Sequence, residues 1–382
     1  MAKIDFNNID EKTKGYIKIG IIILGLFIGF FLILFIVKLF IGSVVPFDKI
    51  ENIMVRAADQ YMAKHEDKFN KNEPYETIEL NVSDLVVEGY MDDFSKYTAK
   101  NVMCSGKVLV VRNDENVSYI PKLDCGDAYK YQNLVEVITK PENIVTADSG
   151  LYKVEGDQTY YIFRGEYPDN YVSYAGKTWR ILRIDENNNI RLIQQDAEEN
   201  IPWDNRYNID KKYAAGINDF EGTQASRLKD SLVSLYNNEE LFTEQDKSLI
   251  IPHQVCVEKR AKNEFNNTGS IECSKKSELM GVGSIYLSEY FQVSLDANCL
   301  GVDSPSCVNY NYLAKLDKRF FTVTASNENS FDVYAIDKGV QIYRASQYAH
   351  VRMVANLNPN LNFKSGTGTE KDPYIIEPIT VK

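Results

Sequence analysis

Beyond an uninterrupted apolar run from Ile19 to Val37, the chain breaks into short stretches of helical or alternating hydrophobic spacing. Ile50, Ile53, Met54, Ala57 and Tyr61 recur every three or four residues, one face of an amphipathic helix. Asp48 with Glu51 three residues on reads as a capping box, so a helix is expected from about 48 to 66. The segment SDLVVEG predicts a short helix from about Ser83 that stops at Gly89. GKVLVVR and VSYIPKL then flank Asn113-Asp114-Glu115-Asn116, a hairpin whose turn is centred between residues 114 and 115.

Further strands follow. A hairpin is expected around Gly156-Asp157 and another around Ala175-Gly176, the latter continuing through Asp185–Asn189 into IRLIQQ. Leu228, Leu232, Leu235 and Tyr236 are spaced as a helix, and Thr243 with Asp246 opens a second short one. FFTVTA, FDVYAID, GVQIYR and VRMVANL read as strands, and the turn-rich KSGTGTEKDPYIIEP as a closing edge strand. These elements divide the chain into an apolar N-terminal region (1–45), a small α+β unit (46–128), a connector (129–155) and a larger, strand-rich α+β domain (156–382).

The apolar run holds 19 residues without a charge. At 1.5 Å per residue a helix of that length is roughly 28 Å long, about the thickness of a bilayer's hydrocarbon core. It is longer than the apolar region of a cleaved signal peptide, so the expectation is a single-pass transmembrane anchor in contact with the lipid bilayer through residues 19–37. Lys12, Lys14 and Lys18 before it place the N-terminus in the cytoplasm and the bulk outside.

All six cysteines follow that run. An even count suits disulfides in an oxidising compartment. Cys104 and Cys125 are equidistant from the hairpin turn, which sets them opposite each other within bonding reach. Proximity suggests Cys256–Cys273 and Cys299–Cys307. No CxxC occurs and the three histidines are not at ligand spacing, so neither zinc nor any other metal or cofactor is assigned.

The net charge is −11, and five lysines against three carboxylates in residues 1–41 leave −13 on the rest. So acidic a domain is a poor nucleic-acid binder. No GxSxG, phosphate-binding glycine loop or HExxH is present.

The membrane-proximal helix, LNVSDLVVEGYM and the strand pair closed by Cys104 and Cys125 together resemble the ectodomain pattern of Gram-positive pilin-like proteins, over about 80 residues. The chain departs from pilins where their processing site would lie: Tyr16-Ile17-Lys18 opens the apolar run, with no Glu near its start. Farther on, YVSYAGKTWRILRIDENNNIRLI, SRLKDSLVSLYNNEELFTEQDKSLI, GSIYLSEYF, CVNYNYL, VRMVANLNPN and GTGTEKDPYII resemble, in order and spacing, a family of bacterial surface domains of unknown function. Those domains are distantly similar to C-type-lectin-like folds of the formylglycine-generating-enzyme type, and the likeness covers about residues 158–378. The copper-binding cysteine pair of that fold's enzymes has no counterpart here. The resemblance therefore implies ligand display from loops, without catalysis.

Aromatic side chains suit such display, because they stack on sugar rings and anchor protein contacts. Trp203, in the polar loop NIPWDNRYN, is one candidate, set against packing onto the core. Tyr310 and Tyr312 alternate in NYNYL, so one is expected to face in and one out. Asp185–Asn189, and Asp296 with Asp303, offer oxygen ligands for calcium but are expected to be a hairpin turn and a solvated loop. The fold class expected is α+β: an N-terminal transmembrane helix, a small disulfide-closed pilin-like module, and a larger lectin-like domain rich in antiparallel strands. The function expected is a membrane-anchored extracytoplasmic binding or adhesion protein for a carbohydrate or protein ligand. Alternatives are a structural subunit of an envelope or pilus-like assembly, and a cell-wall hydrolase.

Overall fold

The computed structural model describes residues 16, 23–30, 44–70, 72–209 and 215–376. Among them no helix is long and apolar enough to cross a membrane, which corrects the expected transmembrane helix. Of the run 19–37, residues 23–30 are described and are helical; the remainder lies outside the described residues. The architecture is a mixed helix–sheet fold with four sheets and three disulfides, in place of the anchored pilin-like and lectin-like assembly expected.

The first unit is built on α1 (Phe47–Met62), followed by β1 (Tyr75–Asn81), α2 (Val82–Val87), β2 (Ser105–Asn113) and β3 (Asn116–Asp124). Pro46, not Asp48, occupies the N-cap of α1, and Asp48 falls in the first turn. There its carboxylate still faces the positive end of the helix dipole. The strands form an antiparallel sheet in the order β1-β2-β3. Asn113 pairs with Asn116 and Ser105 with Asp124, a register that brings Cys104 opposite Cys125. Alternation along β2 divides the sheet's faces. Val108 and Val110 pack on Ile50 and Met54 of α1, whereas Leu109 and Val111 join the core of the larger domain.

The segment expected to be a connector is itself part of that core. It forms α3 (Leu134–Ile138), whose Leu134, Val135 and Ile138 are buried against residues that include Leu361. Then come β4 (Gly150–Val154), β5 (Tyr160–Arg164), β6 (Tyr171–Tyr174), β7 (Lys177–Ile184), β8 (Ile190–Gln194) and β9 (Asn200–Pro202). Ala175 and Gly176, both at positive φ, make the two-residue turn between β6 and β7. Two helices follow, α4 (Arg227–Asn237) and α5 (Glu244–Leu249), the second closed by a Thr243–Asp246 capping box. β10 (His253–Cys256), β11 (Lys276–Met280), β12 (Val282–Gly283) and α6 (Leu287–Gln292) lead to β13 (Phe320–Ala325), β14 (Asp332–Ile336), β15 (Val340–Arg344), β16 (Tyr348–His350), β17 (Val354–Leu357) and β18 (Tyr374–Ile375).

The main sheet runs β12-β17-β8-β7-β5-β4, with β6 on β7 and β18 parallel to β6. A second sheet runs β15-β14-β13-β16-β9, and β10 with β11 forms a two-stranded ribbon. Trp179, Ile181, Val323, Tyr334 and Met353 are among the side chains that share the core of this region.

Candidate functional site

The candidate aromatics separate into two environments. Trp203 is fully buried: its Nε1 donates to the Thr322 carbonyl at 3.0 Å and its ring packs edge-on to Phe220. Tyr312 is buried as well, with its hydroxyl 3.4 Å from the Ile181 carbonyl and the Arg180 guanidinium over its ring. Neither side chain is available to a ligand, which corrects their candidacy. Tyr310 is 59% exposed. Asn311, between the two tyrosines, explains the divergence. It is buried, its Nδ2 donates to the carbonyls of Tyr290 and Cys307, and its Oδ1 accepts from the Leu313 amide. Anchoring Asn311 inward turns Tyr310 out, at a φ of 47°.

Beside Tyr310 lies an open concavity of about 530 Å³, lined on one side by Val308 and Asn309 and on the others by the 314–319 and 337–338 turns. The Cys299–Cys307 disulfide pins the first wall. The β14–β15 hairpin tip leans on that wall: a Cβ on Gly339 would sit 2.8 Å from Cγ1 of Val308. The floor is held from beneath by Arg352, whose side chain is entirely buried. Its Nη2 donates to the backbone carbonyl and, at 2.8 Å, to the carboxylate of Asp317, while Nη1 donates to the carbonyls of Gln194 and Gln195. Burial lowers the pKa of this guanidinium, and the Asp317 carboxylate opposes that shift.

Four cations line the concavity: Lys315, Lys318, Arg319 and Lys338. The sequence reading passed over them. The available signal was KLDKR at 315–319, three cations in five residues of an acidic chain. Lys318 and Lys338 adopt left-handed backbone, each at a φ of 55°. That conformation costs a non-glycine residue about 1–2 kcal/mol. With Tyr310, three of the seven described non-glycine residues at positive φ gather at this one place. Backbone strain of this kind concentrates at ligand-binding sites.

The other sequence candidates have local roles. The Asp185 carboxylate accepts from the amides of Asn187 and Asn189 and from the Asn189 side chain, closing the hairpin turn. Asp296 accepts from the Asn298 amide and from Nδ2 of Asn309, while Asp303 is exposed. Among the described residues no group of three or more His, Cys, Asp or Glu is placed to hold a metal ion. The three disulfides are Cys104–Cys125, Cys256–Cys273 and Cys299–Cys307.

Comparison of the chain with protein-family models, with curated proteins and with solved structures gives no match in any of the three. Nothing in them supports the pilin-like or the lectin-like resemblance.

Proposed function

We propose that this protein is a non-catalytic binding protein that works outside the reducing cytosol and recognises a carbohydrate or a protein surface at the concavity beside Tyr310. The observation that carries the reading is the concavity itself. Its walls come from a disulfide-pinned loop and a hairpin tip braced against each other, and the one exposed candidate tyrosine stands next to it. A rigid frame presenting loops is the usual setting of a recognition site. Three disulfides are consistent with an oxidising compartment.

Binding is favoured over hydrolysis by the surroundings of the carboxylates in the concavity. Glycoside hydrolysis needs one carboxylic acid kept protonated, as an apolar wrapping achieves. Asp317 instead meets the Arg352 guanidinium, and Asp337 accepts a hydrogen bond from the Tyr343 hydroxyl at 3.3 Å.

The test uses the full chain with its disulfides intact, probed on a glycan array and by pull-down from envelope extract. Binding that Tyr310→Ala weakens supports the reading. Binding untouched by Tyr310→Ala, or a stoichiometric envelope partner with no dependence on this face, replaces it with the structural-subunit alternative.

A further inference from the structure

We infer that the ligand of this concavity is an anionic carbohydrate, one carrying sulfate, phosphate or carboxylate groups along its chain. The inference rests on the binding reading above and deepens it. The chain has 54 acidic side chains against 43 basic ones, so a place where cations outnumber carboxylates runs against its overall charge. The concavity is such a place, with four cations and two carboxylates in its lining. Lys315 meets Glu166 at 3.0 Å, and the Arg319 guanidinium lies over the Tyr343 ring. Among the described residues neither Lys318 nor Lys338 has a carboxylate within 4.0 Å.

The two carboxylates that line the same space offset these charges only in part. Arg352 reaches Asp317 from the buried side, and Asp337 is turned to Tyr343. With Lys315 set against Glu166 and Arg352 against Asp317, Lys318, Arg319 and Lys338 remain against Asp337, a local excess of positive charge on a strongly negative molecule. Such a focus steers anions to one spot while the remaining surface repels them.

Backbone conformation at the two lysines points the same way. Left-handed turn positions favour Gly or Asn, which accept positive φ at little cost. Here two of them carry lysine, from two separate turns, and both lysines line one concavity. The charge is therefore set by geometry that a glycine would satisfy more easily. The exposed Tyr310 ring adjoining the wall supplies a flat apolar surface for a sugar ring, which a free inorganic anion would leave unused.

The test measures binding of the full chain to dextran sulfate, to polygalacturonate and to neutral dextran of matched length, with circular dichroism as the folding control. The two anionic probes distinguish sulfo- or phospho-ester recognition from carboxylate recognition. The expected result is binding of at least one anionic polymer, weakened on raising salt from about 50 to about 500 mM, with no binding of dextran. Lys318→Glu combined with Lys338→Glu lowers that affinity about tenfold or more. Lys96→Glu with Lys100→Glu, the same charge change on the far α+β unit, lowers it no more than about twofold.

Equal effects of the two double variants overturn the inference, since attraction would then be diffuse. Neutral dextran binding that Tyr310→Ala abolishes and Lys318→Glu/Lys338→Glu leaves intact also overturns it, while sparing the binding reading. Failure of all three polymers together with a glycan array silent to every sugar overturns both.

Discussion

Nη1 of Arg260 lies 2.9 Å from Oε1 of Glu272, and neither side chain touches solvent. Glu272 also accepts from the amide and hydroxyl of Ser288, at the start of α6, and Arg260 donates to the carbonyls of Glu264 and Asn266. The pair thus fastens the loop closed by Cys256–Cys273 to the helix beneath it. Removing one partner of a buried ion pair strands the other charge, which costs about 3–5 kcal/mol. Arg260→Met is expected to lose that much in chemical denaturation. Glu272→Gln keeps an acceptor but strands the guanidinium charge, which cannot be shed by deprotonation, so it is expected to lose a comparable amount.

His253 contributes to the response to acid. Both its ring nitrogens are buried. Burial, with the nearby Arg191 charge adding to it, pushes its pKa down to about 3 from an ordinary 6.5. The folded protein therefore keeps a neutral ring where the unfolded chain takes up a proton. Stability from this site is complete above pH 6.5 and declines as pH falls toward 3, by about 1.4 kcal/mol per unit. His253→Gln should flatten the acid limb by that slope when denaturation midpoints are followed from pH 7 to pH 4. A variant as acid-sensitive as the parent rules this out.

Lys122 acts at the opposite end of the scale. It is buried between β3 and the C-terminal segment, donating to the Asn360 carbonyl at 2.6 Å and to Oδ1 of Asn362 at 2.9 Å. Desolvation lowers its pKa to about 8. Between that value and the ordinary 10.5 the unfolded chain binds more protons than the folded one. Stability from this site consequently rises with pH across the window, by about 1.4 kcal/mol per unit. Measured against Lys122→Met, the parent protein should gain stability from pH 8 to pH 10.

The disulfides should separate into a stabilising class and a site-shaping class. Cys104–Cys125 closes a loop with a separation of 21 residues, for which chain entropy predicts about 3 kcal/mol. Replacing both cysteines by serine should lower the melting temperature and leave ligand affinity unchanged. The Cys299–Cys307 loop is shorter, at 8 residues, but braces the Val308 wall. Its double serine variant should lose affinity beyond what its stability loss accounts for.

Local pattern was legible in this chain wherever one element settles its own geometry. The Cys104–Cys125 hairpin follows from turn position alone, because strand register is a matter of counting from the turn. The Ala175-Gly176 turn and the Thr243–Asp246 capping box were visible for similar reasons. Long-range features were not. Residues 129–150 carry little apolar periodicity beyond the single turn of Leu134, Val135 and Ile138, and these are buried because the C-terminal segment arrives over them. Trp203 reads as a loop residue, but its indole fills a space created by β13 and donates to Thr322, 119 residues away. The basic concavity is of the same kind. Lys318 and Lys338 converge only because the turn after Leu316 and the β14–β15 hairpin meet in space.

Because β1–β3 are covered on one face by α1 and on the other by the larger domain, this α+β unit is completed by residues far downstream of it. Asn113 donates to the Lys247 and Ile250 carbonyls, Asn358 to the Tyr75 hydroxyl, and Lys364 pairs with Glu51 at 3.2 Å. The Lys122–Asn362 contact spans 240 residues. At typical translation speeds of about 5–20 residues per second, a nascent chain carries Leu109, Val111 and Ile120 incompletely covered for roughly 10–50 seconds before the last of their cover is made. Three strands with a bare apolar face are an invitation to mispairing over that interval. The completion of this hairpin's cover therefore waits on residues translated well after it, from Lys247 to Lys364.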